Sequence, residues 1–281
     1  MKISSLIHAL RLHQWPKNLL IAAAPFAAGQ ILNYWREIII ALIAFGFASS
    51  FGYLVNDFID KESDQNHNVK KFRPFASGEL SEKQMYMLML FCIICFIIPL
   101  LLLNVLFNVA IFAYIVISIS YSCFFKNIPV LEFFWLASGF LIRALAGSAL
   151  INQPPTIWFI VTLYFASLYL ILNKRLSELS YKQSKRYRIV LNYYSSSLLI
   201  VFLWISGATI LLTYIMWIFS VHPDSMIAQI SIFSLLYSIL VYRFRQTSNS
   251  LEFPEKAAFS NRFFLLGIVL TIFLLTLVIY E

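Results

Sequence analysis

Nine apolar stretches divide the sequence, and each is close to the length of one membrane crossing. A membrane-spanning α-helix needs about 20 mostly apolar residues. Such stretches lie near 16–32, 37–55, 85–103, 105–122, 130–150, 156–172, 195–216, 226–242 and 263–280. Charged residues make up only 12% of the chain, which is about half the share found in soluble globular domains. We therefore predict an all-α polytopic membrane protein with about nine transmembrane helices.

The basic residues predict how these helices are oriented, because cytoplasmic loops carry an excess of Lys and Arg. Of the 21 basic residues, all except Arg36 and Arg143 fall at Lys17 or in the segments 1–15, 56–84, 123–129, 173–194 and 243–262. This pattern predicts a cytoplasmic N-terminus and two long cytoplasmic loops, 56–84 and 173–194. The net charge of +8 then indicates contact with an anionic lipid leaflet rather than with nucleic acid.

The whole chain, 1–281, is expected to form a single integral-membrane domain that begins with a short interfacial segment, 1–15. The apolar residues of this segment recur at helical spacing: Ile3, Leu6, Ile7 and Leu10. That spacing is typical of an amphipathic helix lying in the membrane interface. The first turn of a longer helix would give the same pattern.

The first long loop begins with a dense group of carboxylates. Six of the 13 acidic residues are found there: Asp57, Asp60, Glu62, Asp64, Glu79 and Glu82. If the second helix continues beyond the membrane, Asn56, Asp60 and Asp64 share one face, and Asp57 lies beside them. Carboxylates this close repel one another unless a cation neutralises them. Mg²⁺ prefers oxygen ligands and commonly joins carboxylates to substrate phosphates, so we predict a magnesium site here.

A basic run follows these carboxylates directly: His67, Lys70, Lys71 and Arg73. Metal-binding acids next to phosphate-binding bases are typical of a site for a diphosphate. The alternative is an ordinary solvated loop of mixed charge. Because Asn56 and Asp57 still lie beside the apolar run, at the membrane boundary, the binding site is the favoured interpretation.

The acidic motif resembles that of the UbiA superfamily of intramembrane transferases. That superfamily has nine transmembrane helices and the motif N-D-x-x-D-x-x-x-D after the second, which the sequence matches at Asn56, Asp57, Asp60 and Asp64. The chain is most similar to the polyprenyl-phosphate (decaprenyl-phosphate) phosphoribosyltransferase branch. The similar segments are Arg11 to Asn18, His67 to Gly78, Tyr121-Ser122, Lys126, Phe140 to Gly147, Lys174-Arg175, Glu178, Pro254-Glu255 and Asn261-Arg262. The departures from that branch are Asn68, Glu132 and Asn261.

The resemblance implies a UbiA-like helical bundle whose central cavity opens to the cytoplasmic side of the bacterial inner membrane, with a role in cell-envelope biosynthesis. It implies Mg²⁺ as cofactor, and phosphoribosyl diphosphate and a polyprenyl phosphate as substrates. The residues expected to act in catalysis are Asp57, Asp60, Lys70, Arg73 and Arg143. The residues expected to bind substrate are Lys17, His67, Lys70, Lys71, Arg73, Tyr121, Lys126, Lys174, Arg175 and Glu178.

The second long loop differs from that of typical UbiA prenyltransferases, which carry a second Asp-rich motif there. The sequence at this place is Asn173-Lys174-Arg175-Leu176-Ser177-Glu178, with one carboxylate and two cations. By the resemblance, this fixed positive charge suits the 5-phosphate of phosphoribosyl diphosphate. A helix-surface ion pair between Lys174 and Glu178, four residues apart, is the alternative.

Arg143 lies deep inside a predicted span, where an unpaired cation costs roughly 3 kcal/mol on insertion scales. Such residues usually face a cavity and a partner. Glu132, about three helical turns earlier on the same face, can line the same cavity. We expect Arg143 to hold a phosphate or the acidic wall, and the alternative is a structural pair with a buried carboxylate.

Two other functions stay open. An ordinary prenyltransferase, which moves a prenyl chain to an aromatic or lipid acceptor, would use the same first motif but favour a second Asp-rich loop. A transporter places ionisable groups near the membrane midplane, whereas here the acids lie at a boundary and only Arg143 is deep. Metal-dependent turnover separates an enzyme from a transporter.

Overall fold

The computed structural model describes residues 3–67, 69–179, 188–244 and 261–280, and these ranges are helical without any strand. The α-helices are α1 (Ile3–Leu10), α2 (Ala23–Ala27), α3 (Trp35–Ile59), α4 (Lys61–Gln65), α5 (Glu82–Leu100), α6 (Val105–Cys123), α7 (Leu131–Leu150), α8 (Ile157–Leu179), α9 (Ser196–Val221), α10 (Met226–Phe244) and α11 (Arg262–Ile279). Short 3-10 helices cover Leu12–Ala22, Lys70–Phe72, Phe125–Asn127 and Ile189–Tyr193. The predicted all-α class is confirmed.

Eight helices in the described part of the chain are long and apolar enough to cross a membrane, namely α3 and α5 to α11. They coincide with eight of the predicted stretches, so the expectation of about nine spans is confirmed. The first stretch, 16–32, takes a different form, because a 3-10 helix containing Pro16 precedes the short helix α2. Proline has no N–H to donate within a helix, and Gly29 turns the chain with a φ of 67°.

The chain folds into two compact units, Met1–Pro154 and Pro155–Glu281. In the first unit, Phe45 on α3 packs against two rings of α6, with centroid distances of 5.7 Å to Phe107 and 5.3 Å to Tyr114. The 3-10 helix Leu12–Ala22 approaches α7 so closely that a Cβ atom at Gly147 would lie 1.8 Å from the carbonyl oxygen of Ile21. Only glycine fits at this crossing.

Polar side chains mark where α5 and α6 begin. Ser81 and Gln84 form a capping box, in which each side chain accepts a hydrogen bond from the other's backbone N–H. Asn104 accepts from the backbone N–H of Phe107 at 2.8 Å and donates to the carbonyl oxygen of Ala149 at 2.7 Å. Asn104 therefore separates α5 from α6 within an otherwise continuous apolar run.

Small and hydroxyl residues join the helices of the second unit. Thr162 on α8 and Thr213 on α9 are hydrogen-bonded at 2.8 Å. Ser234 on α10 donates to the carbonyl oxygen of Gly267 on α11 at 2.8 Å. Close approach through small residues is typical of helices packed in membranes. Asn261 caps α11 by accepting from the N–H of Phe264, a role that Asp fills equally well.

Candidate active site

The acidic motif lies where α3 ends. The helix does not run unbroken through the motif, because α3 ends at Ile59 and α4 begins after Asp60. Helical hydrogen bonding nevertheless continues through the motif. The backbone N–H of Asp60 donates to the carbonyl oxygen of Asn56 at 2.9 Å, and that of Asp64 donates to the carbonyl oxygen of Asp60 at 2.8 Å. Asp57 and Asp64 are only 6% and 1% exposed, whereas Asn56 and Asp60 are half-buried. Two of the acids therefore face the interior of the first unit.

Arg73 joins the acidic motif to the basic run. Its Nη1 atom donates to Oδ1 of Asp57 at 2.9 Å and to Oδ2 of Asp64 at 2.5 Å. Lys70 adds a second cation, with its Nζ atom 3.6 Å from Oδ1 of Asp64. The structure therefore brings together four predicted site residues: Asp57, Asp64, Lys70 and Arg73. Their catalytic and binding roles stay predictions.

Arg11 completes this cluster and was not predicted as a site residue. It follows α1 in the left-handed conformation, with a φ of 51°. Its guanidinium forms an ion pair with Asp57 and lies over the ring of Tyr53, 4.8 Å from the centroid. The one signal for it was its place at the start of the segment resembling the phosphoribosyltransferase branch.

Asp60 has a separate partner, since its carboxylate pairs with Lys126. Lys126 lies on the 3-10 turn after α6, which is fixed by the stacking of Phe125 on Trp135 with centroids 3.8 Å apart. Val130 follows in a strained conformation, with a φ of 67° and a ψ of −50°. Tyr121, at the end of α6, is half-buried.

His67 and Lys71 occupy less central positions. The Nδ1 atom of His67 accepts from the backbone N–H groups of Val69 and Lys70, at 3.1 and 3.3 Å. His67 thereby fixes the backbone that carries the basic run. Lys71 is exposed and lies over the ring of Phe72, 5.2 Å from its centroid. The neighbouring Asn68 and the Pro254-Glu255 pair lie outside the described residues.

Arg143 is buried in the first unit, and its hydrogen-bond partners are neutral groups. It donates to Oδ1 of Asn18 at 2.8 Å, to the carbonyl oxygen of Gly139 at 2.7 Å and to the hydroxyl of Tyr114 at 2.9 Å. No carboxylate of the described residues lies within ion-pair distance of it, so the alternative of a pair with a buried acid finds no partner there. The ring of Phe140 lies next to both Lys17 and Arg143. The Nζ atom of Lys17 is 5.8 Å from its centroid, and the guanidinium carbon of Arg143 is 5.6 Å from it.

In the second unit, the predicted residues of the second loop form an ion-pair cluster of their own. Arg175 is 1% exposed and donates to Oε2 of Glu178 at 2.9 Å. Arg188 reaches the same oxygen at 3.5 Å. Glu178 thus pairs with the arginine three residues before it, whereas its pair with Lys174, four residues before it, stays a prediction. Lys174 is half-buried.

The donor chemistry of the first cluster fits a hard divalent cation. Asp57 and Asp64 each place a carboxylate oxygen within 2.9 Å of the same nitrogen of Arg73. Buried carboxylate oxygens that converge on one positive group are the donors that Mg²⁺ prefers. Within the described ranges, no three His, Cys, Asp or Glu side chains converge closely enough to hold a metal unaided. A cation would therefore take its remaining ligands from water or substrate.

The sequence pattern of the UbiA prenyltransferase family matches residues 19–268. The chain belongs to this family. The UbiA-family chain is 35% identical over 227 residues to the decaprenyl-phosphate phosphoribosyltransferase of Mycolicibacterium smegmatis, covering 78% of this chain and 71% of that protein. It is 32% identical over 289 residues to the protein of that name from Corynebacterium glutamicum, covering 98% and 86%.

The fold agrees with that of a solved UbiA homolog from Archaeoglobus fulgidus bound to DMAPP and Mg²⁺. The TM-score is 0.76 at 17% identity, and the match covers 98% of this UbiA-family chain and 99% of the homolog. Together with the eight apolar helices, these likenesses identify the chain as a multi-pass membrane enzyme, a transferase of the UbiA superfamily.

Proposed function

We propose that this enzyme transfers 5-phosphoribosyl from phosphoribosyl diphosphate to a membrane polyprenyl phosphate and releases diphosphate. The proposal depends on Mg²⁺ and places the reaction at the cytoplasmic face of the bacterial inner membrane. Relatives named decaprenyl-phosphate phosphoribosyltransferase support it over most of the chain. The observation that carries it is the cluster in which Arg73 joins two buried carboxylates, Asp57 and Asp64.

Each side of this cluster suits one part of a metal-bound diphosphate. Asp57 and Asp64, with Asn56 and Asp60 beside them, would hold Mg²⁺, which supplies positive charge to the diphosphate oxygens. Arg73, Lys70 and Lys126 would bind the remaining diphosphate oxygens and favour their departure. His67 would position the basic run through its two backbone hydrogen bonds, with Lys71 and Tyr121 at the edge of the site.

The reaction requires little beyond position and charge. The bond from the ribose anomeric carbon to the diphosphate oxygen breaks, and its electron pair leaves with diphosphate. A phosphate oxygen of the lipid forms the new bond to that carbon. Because this phosphate is already ionised, no strong general base is needed, and catalysis rests on orientation and electrostatic stabilisation.

The other predicted residues would bind the remaining phosphate groups, namely the phosphate of the lipid acceptor and the 5-phosphate of the donor. Lys17 and Arg143 lie within the first unit, where they would meet the lipid phosphate. For Lys174 and Arg175, binding of the donor's 5-phosphate stays a prediction from the sequence resemblance. Glu178 would keep Arg175 in place through the ion pair between them.

Prenyl transfer to an aromatic acceptor is the second candidate, and the likeness to a homolog solved with DMAPP favours it. Against it stands the second loop, in which the residues from Asn173 to Glu178 include one carboxylate and two cations. A second metal would find few ligands there. The two candidates differ in the substrate that carries the diphosphate, and that difference can be assayed directly.

The test uses the full chain purified in detergent with Mg²⁺. Labelled phosphoribosyl diphosphate is offered with a polyprenyl phosphate, and labelled prenyl diphosphate is offered separately with an aromatic acceptor. We expect label from the first donor to enter the lipid phase, and expect a chelator or Asp60→Asn to abolish this. Glu62→Gln, an exposed acid on α4, is the matched control and should keep full activity. Transfer from prenyl diphosphate alone would overturn the proposal.

A further inference from the structure

The first unit holds a buried cation whose charge no described carboxylate balances. Arg143 is 4% exposed, and its three hydrogen bonds go to an amide, a carbonyl and a phenol oxygen. A guanidinium has five N–H donors and is always charged in proteins. Burying such a charge is costly unless an anion accompanies it. An anionic ligand beside Arg143 would therefore neutralise a buried charge that the described residues leave unbalanced.

Asn18 adds a second observation that points to the same ligand. Its Oδ1 atom accepts from Nε of Arg143 at 2.8 Å, which fixes the orientation of the amide because arginine has only donors. The Nδ2 atom is then the donor end of the amide. It is buried and has no hydrogen-bond acceptor among the described residues. Buried donors are rarely left unpaired in native proteins.

We propose that Asn18 and Arg143 form a binding subsite for a phosphate monoester, and that its occupant is the phosphate of the lipid acceptor. A phosphate offers several strong acceptor oxygens and negative charge, which match an amide N–H, a guanidinium and the nearby ammonium of Lys17. The inference rests on the proposed function, because it assigns the site of the lipid substrate. It makes Asn18 a binding residue for the acceptor.

The position of this subsite suits the reaction. On α3 and α6, Gly52 faces Ser118, and Phe45 lies between Phe107 and Tyr114, so the two helices run in parallel. Tyr114, which binds Arg143, is one turn before Ser118, and Asp57 is five residues after Gly52. At about 1.5 Å per residue, Tyr114 and Asp57 are about 13 Å apart along the helices. This distance accommodates a ribosyl group between two phosphate sites.

Replacement Asn18→Asp separates a binding role from a structural one. The aspartate keeps an oxygen for Nε of Arg143, so a purely structural role predicts unchanged or higher stability and unchanged lipid binding. In the proposed subsite, the new negative charge repels the lipid phosphate. We expect the affinity for polyprenyl phosphate to fall about tenfold or more, with no loss of thermal stability. The KM for the lipid should rise while the KM for phosphoribosyl diphosphate stays within about twofold.

Binding is measured on the full chain in detergent without the donor, using polyprenyl phosphate and the polyprenol of equal length. Asn108→Asp, the same change at another amide of this unit, should bind both lipids like the wild type. Arg143→Gln removes the charge but keeps a donor, and it should also lose the preference for phosphate, which tests the subsite even if Asn18→Asp does not fold. A preference kept in both variants overturns the subsite alone. A wild type without preference overturns the proposed acceptor.

Discussion

At the scale of single residues, two acids and three bases share one buried cluster at the end of α3. Asp57 accepts from Arg11 and Arg73, and Asp64 accepts from Arg73 and pairs with Lys70. Under the proposed function, a diphosphate takes the basic groups and a divalent cation takes the carboxylates. Because neither acid can lose its counter-charge cheaply, we expect metal and diphosphate to bind together.

Arg73→Met should destabilise the protein as well as inactivate it, because it leaves two nearly buried carboxylates with less positive charge. We expect a loss of about 3 kcal/mol, which is typical when one partner of a buried pair is removed. The double variant Arg73→Met/Asp64→Asn should recover part of the stability but no activity. Thermal unfolding in detergent measures the first effect, and the transfer assay measures the second.

The control for this prediction is Lys61→Met. Lys61 pairs with Glu82 at 3.0 Å in the same loop, but Glu82 is exposed and Lys61 is only half-buried, so the loss should stay below about 1 kcal/mol. If the two replacements lowered the stability of the protein equally, burial of the Arg73 ion pairs would not make their loss more costly than that of a surface pair.

The distance along the chain decided which of these contacts the sequence could predict. Arg73 follows Asp57 by 16 residues in one loop, so their types and order were enough to suggest a shared site. Arg11 meets Asp57 from 46 residues away, through a left-handed turn that its residue type does not demand. Asn18 and Arg143 are 125 residues apart. Their contact depends on how α7 packs, which no local pattern encodes.

At the scale of elements, hydropathy predicted the eight long helices because lipid imposes one length and one composition on all of them. It did not predict the 3-10 form of Leu12–Ala22, which follows from Pro16 and from close packing on α7. Gly147 is the residue that permits this packing. The same helix contains Gly139, where an added Cβ atom would find its nearest neighbours at an ordinary distance of 3.9 Å.

Gly147→Ala should therefore be destabilising by about 1–3 kcal/mol, the usual cost of overpacking. A Cβ atom there would lie 1.8 Å from the carbonyl oxygen of Ile21, which is backbone and cannot move aside easily. Gly139→Ala is the matched control and should be neutral or slightly stabilising, by up to about 1 kcal/mol, because alanine favours helix. Comparable thermal midpoints for the two variants would contradict the close approach of the 3-10 helix to α7.

At the scale of the whole molecule, the predicted orientation in the membrane rests on the distribution of charge alone. Every basic residue except Lys17, Arg36 and Arg143 falls in segments that alternate with nearly uncharged ones. The fold does not carry this information, because the same helices would pack equally well in either orientation. Orientation matters for the proposed function, since phosphoribosyl diphosphate is a soluble, highly charged substrate that must reach Asp57 and Asp64 from the cytoplasm.

The orientation can be tested with a membrane-impermeant thiol reagent. Cys123 is exposed at the end of α6, in a segment predicted to be cytoplasmic, so it should react in inverted vesicles and not in intact spheroplasts. Asp224→Cys, made in a Cys123→Ser background, places a thiol at an exposed position in the segment 217–225 and should show the opposite pattern. Because the positive-inside rule acts on the chain as a whole, both results must hold together. Labelling of Cys123 from outside would put the acidic cluster on the wrong side for a cytoplasmic donor, and the proposed reaction would then need a different diphosphate substrate.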